Sequence, residues 1–252
     1  MRKLQVVLIL LLVLTIPCLG AIAYDSSVDL GNNGGSTNSL SGLFNNVAGT
    51  TMAVCLVGDS FGGNDDITGI TYNGASLSFV DKIVSGVTSP NRFVYLYVLN
   101  NPSTGSHSVL INATNSHYLI AGAASWSGTA TAGQPDVHTP SISTAASSSY
   151  ASSLTTSANN SWVALCEGGY DGGTAPVAGT GSTRRTYDAT FGIWGIFDSN
   201  SDVTPAGSYS MTTTYTGGVN PIVHLMFSLK PPTSISGHCA SCDLSIQVEQ
   251  PY

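Results

Sequence analysis

Short runs of Val, Ile, Tyr, Phe and Thr recur through the chain, and Gly, Asn, Asp, Pro and Ser separate them. After residue 23 almost no long 3.6-residue hydrophobic period follows, so these runs are typical of β-strands joined by turns. The pattern predicts an all-β fold with helix confined to short turns and the N-terminal segment. The predicted strands cover residues 51–57, 67–72, 75–83, 93–99, 106–113, 118–125, 162–166, 191–197, 208–215 and 222–229.

Several of these strands are apolar on both faces, and residues 93–99 are the clearest example. A strand of that kind fits in the middle of two packed layers. We therefore predict one two-sheet antiparallel β-sandwich over residues 24–232. Between the second and third predicted strands, Asn73-Gly74 suits the two positive φ angles of a type I′ hairpin turn.

The strand pattern also repeats within the chain. Four pairs of segments match in the same order: 52–55 with 163–166, 93–100 with 191–198, 105–109 with 207–211, and 118–121 with 222–225. This order predicts two pseudo-repeated halves, roughly 24–132 and 133–232. The alternative is that strand–turn–strand runs of similar composition resemble one another by chance.

The N-terminus has the features of a secretory signal. Arg2 and Lys3 precede an apolar run over residues 4–14, and the small residues Ala21 and Ala23 flank Ile22. We expect cleavage after residue 23, which makes the mature protein secreted or displayed at the cell surface. A retained membrane anchor is the alternative, although the run is shorter than the roughly 20 residues that span a bilayer.

Charge restricts the classes of partner. Charged residues are 8% of the chain, against about a quarter in a typical globular domain. Loss of Arg2 and Lys3 leaves five Lys and Arg against fourteen Asp and Glu, a net charge of −9. Because no basic patch can neutralise phosphates, nucleic acid is not an expected partner.

Three segments resemble a widespread uncharacterised domain of secreted bacterial surface and phage-associated proteins. They are ITYNGASL at 70–77, YVLNNPSTGSHSV at 97–109 and AGAASWSG at 121–128. The resemblance covers about residues 24–232 and implies a concanavalin-like jelly roll. It implies no catalytic residues.

Acid–base chemistry has few candidate residues. Glycoside hydrolysis usually needs two carboxylates on one face, and the mature chain has only Glu167 and Glu249 as glutamates. Glu167 precedes two glycines at a strand end, so we expect it at the rim of the sheet. The sequence has many serines but no Gly-x-Ser-x-Gly elbow, so it does not indicate a serine hydrolase. His138, near Asp136, is expected in a loop. We predict no catalytic residues.

Calcium is the candidate ligand with most support. Asp59, Asn64, Asp65 and Asp66 cluster in a Gly-rich segment, and Ca²⁺ prefers six to eight oxygen ligands. The same residue types also dominate ordinary turns. No other cofactor is expected.

Four cysteines remain after cleavage. Cys239 and Cys242 form a CxxC motif that lacks the following histidine of a haem site and further zinc ligands nearby, so export favours a disulfide there. Cys55 and Cys166 lie in equivalent strands of the two halves. They are either free core thiols or a bridge between the halves.

Tryptophan placement bears on sugar binding. Trp126, Trp162 and Trp194 fall in or near predicted strands, where an exposed row would stack on sugar rings and a buried set would be core. The core interpretation is favoured.

The tail, residues 233–252, follows Pro231-Pro232, and its segment 243–249 alternates polar and apolar residues. Such a strand needs a sheet edge, so we hypothesise that it docks on another chain by strand addition, with Cys239 and Cys242 able to lock the joint. A disordered terminus is the alternative.

The expected function is a non-enzymatic extracellular surface or structural protein, with self-association or a surface partner reached through the tail. A glycan-binding lectin-like module is the second reading, and a carbohydrate-active hydrolase the third.

Overall fold

The computed structural model describes residues 21–60, 67–86, 91–116, 118–169, 175–188, 193–219 and 221–233. Within these residues the regular elements are all strands, which confirms the predicted all-β class. No helix in this part of the chain is long and apolar enough to cross a membrane. The expected signal segment lies almost wholly outside the described residues.

Nine strands lie in the first half of the chain. They are β1 (Ala23–Asn32), β2 (Ser39–Asn46), β3 (Thr51–Ser60), β4 (Ile67–Tyr72), β5 (Ala75–Ser76), β6 (Ser78–Val84), β7 (Asn91–Asn100), β8 (Gly105–Ala113) and β9 (Tyr118–Ser127). Eight follow: β10 (Val137–Ser143), β11 (Ser147–Thr155), β12 (Trp162–Gly169), β13 (Val177–Ala178), β14 (Thr183–Asp188), β15 (Ile193–Asp198), β16 (Ser208–Val219) and β17 (Ile222–Leu229).

The strands pair antiparallel into four sheets. The first central sheet has the order β1-β9-β3-β7-β6, and the first outer sheet has the order β2-β8-β4-β5. The second central sheet has the order β10-β17-β12-β15-β14, and the second outer sheet has the order β11-β16-β13. We call the first two sheets the N-terminal unit and the last two the C-terminal unit.

The prediction of two sheets is therefore wrong, because there are four. Each unit buries its own core between its central and outer sheets, and the two central sheets bury a third core between them. We call these the N-terminal core, the C-terminal core and the interface core. The prediction failed because a strand that is apolar on both faces shows that its sheet is covered on both sides. It does not show how many sheets the fold contains.

Strand β3 shows how one sheet serves two cores. Met52, Val54 and Leu56 belong to the N-terminal core, whereas the alternate residues Ala53, Cys55 and Val57 belong to the interface core. Side chains of a strand alternate between faces, so an unbroken apolar run is what a sheet covered on both sides requires.

The strand orders of the two units correspond element by element. In the central sheets, the order β1-β9-β3-β7-β6 corresponds strand by strand to β10-β17-β12-β15-β14. In the outer sheets, β2-β8-β4 corresponds to β11-β16-β13. Cys55 in β3 and Cys166 in β12 thus occupy equivalent strands. Phe191, the expected counterpart of Phe93, lies outside the described residues.

The Asn73-Gly74 turn is confirmed. Asn73 has a φ of 49° and Gly74 a φ of 79°, and Tyr72 pairs with Ala75 across the turn. Both central residues of a type I′ turn need positive φ.

The interface core contains the three tryptophans. Trp126 and Trp194 have no exposed surface and Trp162 is 5% exposed, which confirms the core interpretation. Gly122 in β9 makes room for one of them, since an added Cβ would lie 1.9 Å from Cη2 of Trp194.

Candidate functional site: a buried polar cluster

A cluster of polar side chains lies between the two sheets of the C-terminal unit. Glu167 of β12 and His224 of β17 are direct partners across their strands, and Thr213 and Tyr215 face them from β16. Ser152 of β11 completes the cluster. Thr213 and Tyr215 are two residues apart, so the strand period turns both side chains to the same inner face.

Hydrogen bonds connect these side chains into one continuous network. Oγ of Ser152 is 2.8 Å from Nδ1 of His224, and Nε2 of His224 is 2.9 Å from Oγ1 of Thr213. That oxygen lies 2.7 Å from the Tyr215 hydroxyl, which donates to Oε1 of Glu167. The ring centroid of Tyr150 packs 4.7 Å from that of the His224 imidazole.

Burial sets the charge of the cluster. Desolvation raises the pKa of Glu167 to about 8, against the opposing effects of hydrogen bonding from Tyr215, the charge of Arg184 and hydrogen bonding from Thr213. Desolvation also lowers the pKa of His224 to about 3 and, with the adjacent Glu167, raises that of Tyr215. Near neutral pH the carboxyl is therefore protonated and the imidazole neutral.

One oxygen of the cluster is unsatisfied. Oε2 of Glu167 is buried and has no hydrogen-bond partner in the described part of the chain. A buried polar group left in this state costs about 1–3 kcal/mol.

The structure corrects the expected position of Glu167. It lies inside the C-terminal core with no exposed surface, not at the rim of the sheet. The expectation failed because Gly168 and Gly169 still belong to β12, so the strand does not end at Glu167. The sequence signal that was overlooked is His224, a polar residue within the apolar run of β17.

His138 is a second correction. It lies in β10, not in a loop, and its Nε2 is 3.4 Å from Oδ2 of Asp81 in β6. Asp136 instead pairs with Lys230, whose Nζ is 3.1 Å from Oδ1 of the carboxylate. The two residues therefore form no joint acid–base site.

An ion pair of the C-terminal unit contacts two aromatic residues of the N-terminal unit. The Asp198 carboxylate receives hydrogen bonds from Nε of Arg185 at 2.8 Å and from Nε1 of Trp126 at 3.0 Å, and its other oxygen lies 2.8 Å from Nη2 of Arg185. The Arg185 guanidinium also stacks 4.0 Å from the ring centroid of Tyr24. Trp126 and Tyr24 belong to the N-terminal unit and Asp198 and Arg185 to the C-terminal unit.

A disulfide lies in the interface core. Cys55 and Cys166 are bonded with a Cα–Cα distance of 5.5 Å, and both are fully buried. The two cysteines therefore form a bridge between the halves and are not free core thiols.

The other predicted sites lie outside the described residues. Asn64, Asp65 and Asp66 are among them, and for Asp59 only the backbone of β3 is described, so the calcium site stays a prediction. Cys239 and Cys242 are also beyond that part of the chain. Within it, no group of three or more His, Cys, Asp or Glu residues could hold a metal ion.

Comparison of the chain with protein-family models, curated proteins and solved structures gives no match.

Proposed function

We propose that this chain is a non-enzymatic structural protein of an extracellular surface or virion assembly, secreted after removal of residues 1–23. The observation that supports it most is the interface core, where two sandwich units are joined by a disulfide and by the hydrogen bond from Trp126 to Asp198. Glu167 and His224, the acid–base groups of the buried polar cluster, have no exposed surface. A cross-linked body with enclosed chemistry suits a structural role better than a catalytic one.

The outer face of the second outer sheet supports the same proposal. Its cross-strand pairs include Ser149 with Thr214, Ser153 with Ser210, and Thr155 with Ser208. These hydroxyls make a neutral, hydrated face, whereas a catalytic cleft concentrates charged groups in a concavity.

We further propose that each unit is a jelly roll. The orders β1-β9-β3-β7 and β2-β8-β4-β5 follow the order of the two four-stranded sheets of an eight-stranded jelly roll, with β6 added at one edge. The C-terminal unit follows the same order, apart from a strand equivalent to β5 among its described residues. This order supports the jelly-roll part of the resemblance drawn from the sequence.

The tail is the proposed attachment element. Residues 243–249 would add as a strand to the edge of a sheet in a second copy of the chain or a surface partner. Strands β2 and β11 are long edges of the outer sheets, whereas the opposite edges, β5 and β13, have two residues each. Short edge strands offer little to pair with, so β2 and β11 are the preferred acceptors.

Deletion of residues 233–252 tests this attachment. We expect the shortened protein to keep its melting temperature, since β17, the last described strand, ends before the tail at Leu229. It should lose self-association in light-scattering measurements or attachment to cells. A matched pair of variants sharpens the test. Replacement of Leu244, Ile246 and Val248 by Ser should abolish association, whereas replacement of Ser245 and Gln247 by Ala, on the opposite face, should preserve it. Association that survives the deletion would overturn the docking proposal.

A glycan-binding module remains the second proposal. It has lost its expected support from tryptophan, since all three tryptophans are buried. The large exposed aromatic residues in the described part are Phe79 of β6 and Tyr187 of β14. A hydrolase role finds no support in the fully buried Glu167.

A further inference from the structure

The buried polar cluster contains the parts of an acyl-transfer reaction. Thr213 offers a hydroxyl, His224 a neutral base 2.9 Å from that hydroxyl, and Ser152 a group that orients the base through its other nitrogen at 2.8 Å. Nucleophiles in proteins are activated by a base that a third group holds in place. The only carboxyl in this cluster belongs to Glu167, which accepts a hydrogen bond from Tyr215, whose hydroxyl oxygen is 2.7 Å from Oγ1 of Thr213.

The geometry points to an intramolecular ester between the side chains of Glu167 and Thr213, formed by the folded protein itself. Glu167 lies in β12 of the second central sheet and Thr213 in β16 of the second outer sheet. The ester would therefore link the two sheets of the C-terminal unit covalently. It goes beyond the proposed structural function and does not depend on it.

The reaction balances within the cluster. Oγ1 of Thr213 attacks the Glu167 carboxyl carbon while Nε2 of His224 takes the hydroxyl proton. Tyr215 donates a hydrogen bond to Oε1, which carries the negative charge of the tetrahedral intermediate and remains as the ester carbonyl oxygen. The bond from the carboxyl carbon to Oε2 then breaks, the imidazolium returns its proton to that oxygen, and one water leaves. No oxidant or other co-reactant is consumed.

Burial favours both the reactant form and the product. An ester forms from a protonated acid and not from a carboxylate, and the raised pKa of Glu167, about 8, keeps its carboxyl protonated near neutral pH. Two groups held in place by folding react with effective molarities of up to about 10⁵–10⁸ M, far above the concentration of water. The atom that departs is Oε2, the one without a hydrogen-bond partner in the described part of the chain. Its loss removes an unsatisfied buried oxygen.

Mass spectrometry of the purified, denatured secreted protein tests the ester. We expect its mass to be one water below the mass of the unmodified chain after correction for signal cleavage and disulfides. Proteolysis should release the peptides containing Glu167 and Thr213 as one cross-linked species. Alkaline hydroxylamine should then separate these two peptides, because it cleaves esters and leaves ordinary amides intact, and the Asn-Gly bonds that it also cleaves, at Asn33-Gly34 and Asn73-Gly74, are far from both peptides.

Two threonine variants provide the comparison. Thr213→Val should have the full mass, whereas Thr51→Val, which alters a buried threonine of the N-terminal unit, should still lack one water. Thr213→Ser retains a hydroxyl and should form the ester even if the valine variant does not fold. A wild-type protein of full mass, or a water loss that persists in Thr213→Val, would overturn the inference. The wild-type measurement needs no variant, so it is decisive by itself.

Discussion

At the scale of single residues, the C-terminal core holds polar side chains where apolar ones would pack. His224 has no exposed surface and its neighbours on β17, Val223 and Leu225, belong to the interface core. A neutral imidazole with a hydrogen-bond partner on each nitrogen fits such a place, and a charged one does not. The core therefore depends on His224 remaining unprotonated.

This dependence predicts acid sensitivity. Burial lowers the pKa of His224 from 6.5 to about 3, so between these values the unfolded chain binds a proton that the folded chain does not. The contribution of His224 to the free energy of unfolding should thus rise as pH increases from about 3 to about 6.5, by about 5 kcal/mol at most, and be lost again as pH falls. Glu167, whose pKa is raised from 4.5 to about 8, acts in the opposite direction above about pH 4.5, because the folded chain then holds a proton that the unfolded chain releases. Urea unfolding at several pH values between about 3 and 4.5 should therefore show a weaker slope in His224→Gln, whereas the half-buried control His107→Gln should match the wild type. An unchanged slope in His224→Gln would contradict the prediction.

At the scale of elements, the two central sheets pack tightly enough to require specific small residues. Gly122 in β9 faces Trp194 in β15 of the other unit, and the carbonyl oxygen of Val28 lies 2.7 Å from where a Cβ would be. Backbone on one side and an indole on the other leave little room for relaxation. The Gly122–Trp194 contact therefore holds the spacing of the sheets.

Gly122→Ala should destabilise the protein by about 1–3 kcal/mol or more, because the added methyl overpacks the interface. The matched control is Gly69→Ala in β4, where an added Cβ meets nothing within 4 Å. Thermal unfolding should show a clear drop in melting temperature for the first variant and almost none for the second. Equal melting temperatures would show that the two central sheets are not in contact at this point.

At the scale of the whole molecule, a disulfide cross-links the two units. The Cys55–Cys166 disulfide spans a sequence separation of 111 residues and lies in the interface core. Cross-linking distant residues restricts the unfolded chain more than the folded one. It also holds the two units together for as long as the bond is intact.

Replacement of Cys55 and Cys166 by alanine should lower the free energy of unfolding by about 4.7 kcal/mol, the size expected for a closed loop of roughly 100 residues. Because both sulfurs are fully buried, dithiothreitol should reduce this bond only after denaturant is added. Thiol labelling with and without urea would measure this. Rapid reduction in native buffer would contradict the buried position of the bond.

Prediction from sequence succeeded where a strand has a strong local pattern. The predicted strands at 67–72 and 222–229 coincide with β4 and β17. Strands β2 and β11 were not predicted, because they are rich in Ser and Asn and contain few of the β-branched and aromatic residues that mark a strand: Phe44 in β2, and Tyr150 and Thr155 in β11. The predicted strand 75–83 is divided at Leu77 into β5 and β6, which belong to different sheets.

The amino-acid sequence by itself determined the all-β class, the type I′ turn at Asn73-Gly74 and the equivalence of the strands that carry Cys55 and Cys166, since each depends on local pattern. Only the tertiary structure decided that four sheets stack as two units, that the two cysteines bond and that Glu167 meets Tyr215 in a dry core. The physical reason is that periodicity tells which faces of a strand are covered, whereas the packing of distant strands determines what covers them.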